Sequence, residues 1–300
     1  MPINLNPLTT GRVHHNTKIR VYPDGGTKII YCSMPIFREK GVEVVEKNDD
    51  LLTGVYYTPP FVDELQNSRE EQKQEERERD RTTELIRRHR DRVRDIVLCN
   101  DFTHFLTITI NPEKIDSFDV AECKKKLHMW LKNQVDRKGL KYVLIPEYHD
   151  SGRLHCHALV NDVFKLVPAV SPYTGKNLYT TSGKQIFNVP EWRYGFSTSI
   201  ALDSQKWRVA NYVCKYITKG SDKIFGKYFW SSKNIQREPL TFLDDMDFSV
   251  VDTKEYKPVE WLSGLSFKYE SSLEYRDESN DDYSDFDECA ELVTDLEENT

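Results

Sequence analysis

The stretch "GRLHCHALV", Gly152 to Val160, decides how this chain is read. Strand side chains alternate between the two faces of a sheet. His155, His157 and Leu159 therefore point to one side, and Leu154, Cys156 and Ala158 to the other. Two imidazoles side by side on a sheet face are either core packing or the beginning of a metal site.

Upstream, "KYVLIPEYH" (Lys141–His149) reads as another strand and "HDSGR" (His149–Arg153) as a turn, so the two strands make a hairpin. If the hairpin turns about Ser151, Glu147 lies across from His155 with its side chain on the imidazole face. His149 projects to that face too and rivals or backs Glu147 as a ligand. Two imidazoles and a carboxylate can close on one ion and leave positions open, which a catalytic metal needs. This donor set suits Mg2+ or Mn2+ working on phosphate, without excluding zinc.

Further out the pattern continues. "THFLTITIN" (Thr103–Asn111) alternates, with Leu106, Ile108 and Ile110 on one face and Phe105, Thr107 and Thr109 on the other; Pro112 stops it. Val120, Cys123, Leu127, Trp130, Leu131 and Val135 form a helical stripe that ends at Gly139. Residues 161–194 read as a long polar loop, of the kind that is functional or mobile. "GFSTSI" (Gly195–Ile200) is a fourth strand. "DSQKWRVANYVCKYITKG" (Asp203–Gly220) is a helix with Asp203 or Ser204 as N-cap and Gly220 as C-cap. The order β-α-β-β-β-α predicts an α+β fold, an antiparallel sheet with helices on one face.

At about 100° per residue, Tyr212 and Tyr216 share a face of that last helix, flanked by Arg208, Lys215 and Lys219. Val209, Ala210, Val213 and Ile217 occupy a separate apolar arc. A phenol with a pKa near 10 attacks phosphate poorly unless cations stabilise its oxyanion. Lysines beside it and a metal on the phosphate would do so. The plainer alternative is that both tyrosines are packing residues with their hydroxyls in water.

The formal charge of −7 is unevenly spread. From Glu270 to Thr300, 13 acidic residues face only Arg276, a net of −12, which leaves residues 1–269 at +5. A mildly basic body suits a polyanionic partner, and the acidic end reads as a solvated, disordered tail. The six cysteines are scattered with no CxxC pair, as expected of reduced thiols in a cytoplasm. There is no 18-residue apolar run or signal-peptide pattern, so no membrane association is expected. Residues 1–61 read as short strands and turns, including a hairpin at Asp24-Gly25-Gly26. Residues 62–99 read as a charged helical linker in which apolar residues return only from Leu85.

Three motifs in order, "FLTITIN" (Phe105–Asn111), "GRLHCHALV" and "YVCKYITK" (Tyr212–Lys219), resemble the HUH endonuclease superfamily. The likeness is to the two-tyrosine replication initiators of small single-stranded DNA phages. It covers roughly residues 100–235 and includes "KYFWSSKNIQ" (Lys227–Gln236), to which no role attaches. The resemblance implies a ferredoxin-like palm over residues 100–240; outside the likeness lie residues 1–100, a C-terminal extension at 241–269 and the acidic tail at 270–300. It implies that His155 and His157 bind a divalent ion and that Tyr212 and Tyr216 are nucleophiles assisted by Lys215 and Lys219. Glu147 as third ligand comes from the hairpin register instead. The implied activity is nicking and rejoining of single-stranded DNA at an origin through a 5′-phosphotyrosine, starting rolling-circle replication in a host bacterial cytoplasm. Arg153, Arg208, Lys215 and Lys219 are the expected phosphate contacts, and the 161–194 loop would help read the origin. No GxxxxGK[ST] loop is present, so unwinding falls to a host helicase, with a host polymerase extending the nick. The alternatives are a transposase or relaxase of the same chemistry, or a noncatalytic nucleic-acid-binding module.

Overall fold

The structure is a computed structural model that describes residues 14–39, 64–116, 118–148, 152–219, 223–252, 255–258, 265–273 and 283–298. In chain order come β1 (His14–His15), β2 (Thr17–Val21), β3 (Thr27–Cys32), β4 (Phe37–Arg38), α1 (Glu64–Cys99), β5 (His104–Thr109) and α2 (Val120–Lys138). Next are β6 (Tyr142–Tyr148), β7 (Leu154–Val160), β8 (Val167–Pro168), β9 (Phe187–Asn188), β10 (Ser197–Ala201) and α3 (Lys206–Lys219). The last are β11 (Trp230–Ser231), β12 (Leu240–Asp244), β13 (Glu255–Pro258), β14 (Ser266–Ser271) and α4 (Ser284–Glu298). The chain divides into two compact units, Met1–Thr83 with Leu240–Leu273, and Glu84–Pro239 with Glu274–Thr300.

The second unit is built on a seven-stranded antiparallel sheet in the order β11-β6-β7-β5-β10-β9-β8. The fold is α+β. The interior strand β7, between β6 and β5, is buried at every position, which requires cover on both faces. On one face Phe105, Val143, Ile145, Leu159 and Ile200 pack with residues of α1, α3 and α4. On the other, Leu106, Ile108, Leu144, Cys156 and Ala158 pack with Cys123, Leu127, Trp130 and Leu131 of α2. The expectation of helices on one face is therefore corrected. The apolar stripe of α2 needs its own partner, and the even-numbered side chains of β5 and β7 supply it.

Local signals place these elements. Asp119 caps α2, its carboxylate accepting from the Ala121 and Glu122 N–H groups at 3.0 Å, and Gly139 ends it at φ 69°. Ahead of α3, Asp203 Oδ1 accepts from the Gln205 N–H at 3.0 Å. The expected Gly220 cap and the turn at Ser151 lie outside the described residues.

Two expectations change. The 161–194 loop supplies β8 and β9, which extend the sheet beyond β10, and buries Phe164, Ala169, Ile186, Val189 and Trp192. The acidic tail contains α4, because Tyr283, Phe286 and Cys289 recur every three residues and find an apolar bed. Residues 274–282 and 299–300 of that tail lie outside the described residues.

The first unit holds a five-stranded antiparallel sheet in the order β12-β2-β3-β14-β13. The hairpin expected at Asp24-Gly25-Gly26 joins β2 to β3, with Gly25 at φ 86° and the Tyr22 N–H donating to Gly26 O at 2.8 Å. Residues from both sides of the other unit in sequence thus share one sheet. Among the described residues no helix is long and apolar enough to cross a membrane.

Candidate active site

The hairpin pairs as its sequence requires: Glu147 lies opposite His155 and Ile145 opposite His157. On the other flank of β7, β5 sets Thr109 opposite His155 and Thr107 opposite His157. Glu147 reaches diagonally, so that its Oε2 lies 3.0 Å from His157 Nε2. His157 Nδ1 is 3.3 Å from Thr107 Oγ1. Both imidazoles are nearly buried, at 4% exposure for His155 and 3% for His157.

Gly195 fixes the end of β5 beside them. A Cβ there would stand 2.1 Å from Thr109 O and 2.7 Å from Asn111 N, so only glycine lets the two backbones meet. The Thr109 and Asn111 N–H groups accordingly donate to Phe196 O and Tyr194 O at 3.0 and 2.9 Å.

Helix α3 lays its two tyrosines over this face. The Tyr216 ring stacks on His157, centroids 3.9 Å apart and planes inclined by 15°. Tyr212 stands edge-on to Tyr216 at 5.4 Å, and the two hydroxyls are hydrogen-bonded to each other. Phe105 touches both systems, parallel to His157 at 5.9 Å and edge-on to Tyr212 at 5.4 Å.

Helix α4 covers the pair. Phe286 stacks on Tyr212 at 4.5 Å and meets Phe105 edge-on at 5.3 Å. The Tyr212 hydroxyl also donates to Asp287 Oδ1 at 3.0 Å. Thr198 Oγ1 donates to Cys289 O at 2.6 Å, the Thr181 N–H to Glu288 Oε2 at 2.7 Å, and Lys184 pairs with Asp285 at 3.1 Å. Tyr212 is left with 0% exposure and Tyr216 with 6%. Burial drives both phenols far above their ordinary pKa; for Tyr212 the neighbouring Tyr216 and then the Asp287 carboxylate add to it. For Tyr216, the hydrogen bond shared with Tyr212 offsets part of the rise, while Asp287 and Glu147 add to it.

The structure thus brings His157, Glu147, Tyr212 and Tyr216 into one cluster, with His155 on the same face. Lys215 Nζ lies 4.0 Å from the Tyr283 ring centroid and 5.0 Å from that of Tyr212. Arg208 pairs with Asp203 at 3.2 Å and stands 5.8 Å from the Tyr283 ring. Lys215 therefore borders Tyr212, while Arg208 faces the Tyr283 ring beside it. Arg153 is half-buried just ahead of β7. His149 and the side chain of Lys219 lie outside the described residues. The sequence reading missed α4 altogether, although the spacing of Tyr283, Phe286, Cys289 and Leu292 was there to find. It placed Thr107 and Phe105 on the right face without giving either a role.

Two imidazoles and a carboxylate are the right kinds of donor for a divalent cation. Thr109 Oγ1, opposite His155, is buried with no hydrogen-bond partner among the described residues, an orphan of the sort an ion's water satisfies. In this conformation Glu147 is turned to His157 instead. Among the described residues no three His, Cys, Asp or Glu side chains are grouped so as to hold a metal ion. The donor set fits a cation in kind, and the Glu147–His157 contact is what an ion would have to replace.

No curated protein and no solved structure matches the chain. Residues 103–221, which span β5 to the end of α3 and hold every one of these sheet and α3 residues, match the family Replication-associated protein ORF2/G2P, and the match supports a replication-initiator role with DNA as partner.

Proposed function

We propose that this chain is a two-tyrosine HUH-type initiator that nicks and rejoins single-stranded DNA at an origin, starting rolling-circle replication. The observation that supports it best is the stack of Tyr216 on His157, with Tyr212 bonded to the same hydroxyl. Packing alone has no need to gather two phenols, two imidazoles and a carboxylate on one sheet face, since buried polar groups cost free energy unless paired.

In the reaction, a tyrosine Oη attacks the phosphorus of a phosphodiester and loses its proton to solvent. The P–O3′ bond breaks, and the leaving O3′ takes up a proton. A 5′-phosphotyrosyl ester remains, together with a 3′-hydroxyl for a polymerase to extend. The ester conserves the bond energy, so the second tyrosine can cut again while the first end is held and rejoined. Lys215 and Arg208 would steady the phenolate and the phosphate, and Lys219 and Arg153 would add phosphate contacts. His155, His157 and Glu147 would hold Mg2+ or Mn2+, which when bound supplies positive charge to a phosphate oxygen.

With α4 in place no phosphate can meet either phenol. We read this arrangement as the closed state of the enzyme, and nicking requires α4 to leave.

The test is a labelled single-stranded origin oligonucleotide incubated with the full chain and Mn2+. A covalent protein–DNA adduct that survives denaturation is expected. It should vanish with chelator and in the Tyr212→Phe/Tyr216→Phe double variant. Burial of both phenols is the one observation favouring a noncatalytic binding module; tight binding with no adduct under any divalent metal would establish that reading instead. Adducts confined to one tyrosine would point to transposase- or relaxase-like chemistry.

A further inference from the structure

The segment "KYFWSSKNIQ" (Lys227–Gln236) plays no part in the phenol–imidazole cluster. It forms β11, the edge strand beside β6, and lines a groove of about 990 Å3 together with residues of α1 and α2. Arg92, Lys132, Lys223, Lys227, Lys233 and Arg237 line this groove against a single carboxylate, Asp136. None of the six cations forms an ion pair among the described residues. Arg237 is instead held by neutral groups, donating to Ser231 Oγ and Ser232 O at 3.0 Å each, and Lys223 stands 5.5 Å from the Tyr228 ring centroid. Like charges gathered without counterions repel one another, an arrangement that a polyanion relieves.

A second observation separates a polynucleotide from an arbitrary anion. Aromatic side chains interleave with the cations: Phe229 and Trp230 are half-buried at the groove, and Tyr228 and His89 pack ring to ring at 4.7 Å. His89 Nδ1 is itself buried with no hydrogen-bond partner among the described residues. Alternating cations and aromatic faces are what single strands use, phosphates on the former and unstacked bases on the latter. A duplex, with its bases stacked inside, could use only the cations.

We propose that the β11 groove binds single-stranded polynucleotide, as a track distinct from the reacting centre. The choice of DNA rests on the function proposed above; the binding does not.

The experiment measures fluorescence anisotropy of a labelled oligothymidylate of about 20 nucleotides, longer than one such site. The full chain is titrated in chelator across a salt series. The variant is Lys223→Gln/Lys227→Gln/Lys233→Gln, all three exposed residues lining the groove. Affinity should fall at least about tenfold. The slope of log K against log salt should shrink by about 2, since each phosphate of a single strand that a lysine no longer neutralises removes roughly 0.7. A duplex of equal length and a polyglutamate peptide should both compete poorly. Unchanged affinity and slope in the variant, or competition by duplex or polyglutamate as good as by single strand, would overturn the track. The same proteins are assayed for the covalent adduct. Groove binding without any adduct in the wild type leaves the track standing and removes the nicking proposal. Adducts with binding indifferent to the lysines do the reverse.

Discussion

The phenol–imidazole cluster and the β11 groove both gather groups suited to DNA, and they treat them in opposite ways. In the cluster the phenols are dry, capped by a helix rich in carboxylates, and held firmly protonated. In the groove the cations are exposed, without ion pairs among the described residues, and aromatic faces stand beside them. The contrast argues for a division of labour: a surface open to the strand at all times, and a reactive centre withheld behind α4. Acid on α4 suits that cover. Asp287 accepts from Tyr212 and makes the phenolate harder to form.

The largest expected effect that would break or sharpen this comparison comes from Phe286→Ala. Phe286 is fully buried between Tyr212 and Phe105, and removing such a ring costs roughly 3–5 kcal/mol. If α4 is a separable cover, that loss falls on its docking. Amide exchange should then rise over 284–298 while β5, β6 and β7 stay protected, and adduct formation should speed up at least about tenfold. Oligothymidylate affinity should not move. Exchange rising across the whole sheet, with no gain in adduct, would make α4 part of the core and end the division of labour.

Asp287→Asn should do less. It keeps the shape of the side chain but removes the charge facing both phenols and weakens the hydrogen bond from Tyr212, a bond to a charged group worth about 1.5–3 kcal/mol when shielded and less at this exposed position. Tyr212 should ionise at lower pH than in the wild type, read by phenolate absorbance, with a severalfold gain in adduct. Loss of adduct instead would show that Asp287 takes the phenolic proton in the reaction and that α4 assists the chemistry it covers.

Periodicity in the sequence was enough to place the phenol–imidazole face. The alternation in "GRLHCHALV" and the hairpin register put His155, His157 and Glu147 together, and the four-residue spacing of Tyr212 and Tyr216 put both phenols on one side of α3. Each of these follows from a repeat within one element or one turn. What escaped was non-local. That α4 would return to cover α3 depends on an apolar stripe hidden among 13 acidic residues, where charge outweighed spacing. That β12 and β14 would pair with β2 and β3 depends on partners more than 200 residues apart, which no window can register. The second helical layer escaped because side chains on both faces of β5 are apolar or small, and the alternation does not say how many faces are covered. The β11 segment stands out as a motif but had no chemistry until the fold brought α1 and α2 to the walls of its groove.

His89 offers the finest distinction between the two regions. Burial, then the nearby charges of Arg92 and Lys223, hold its pKa below 6.5, while the rings of Tyr228 and Phe229 cover it without offering a counter-charge. The unfolded chain therefore binds that proton more readily than the folded one. The contribution of His89 to stability is present above about pH 6.5 and is lost as the pH falls through that value toward the lowered one. A strand in the groove would bring phosphates against Arg92 and Lys223 and restore the pKa upward. Binding should then take up a proton, and oligothymidylate affinity should climb as the pH falls below about 6.5, by less than the lysine substitutions remove. His89→Gln should flatten that climb and leave the pH profile of adduct formation as it was. A flattened adduct profile with unchanged binding would place His89 under the influence of the phenol site instead, and the two regions could no longer be treated as independent.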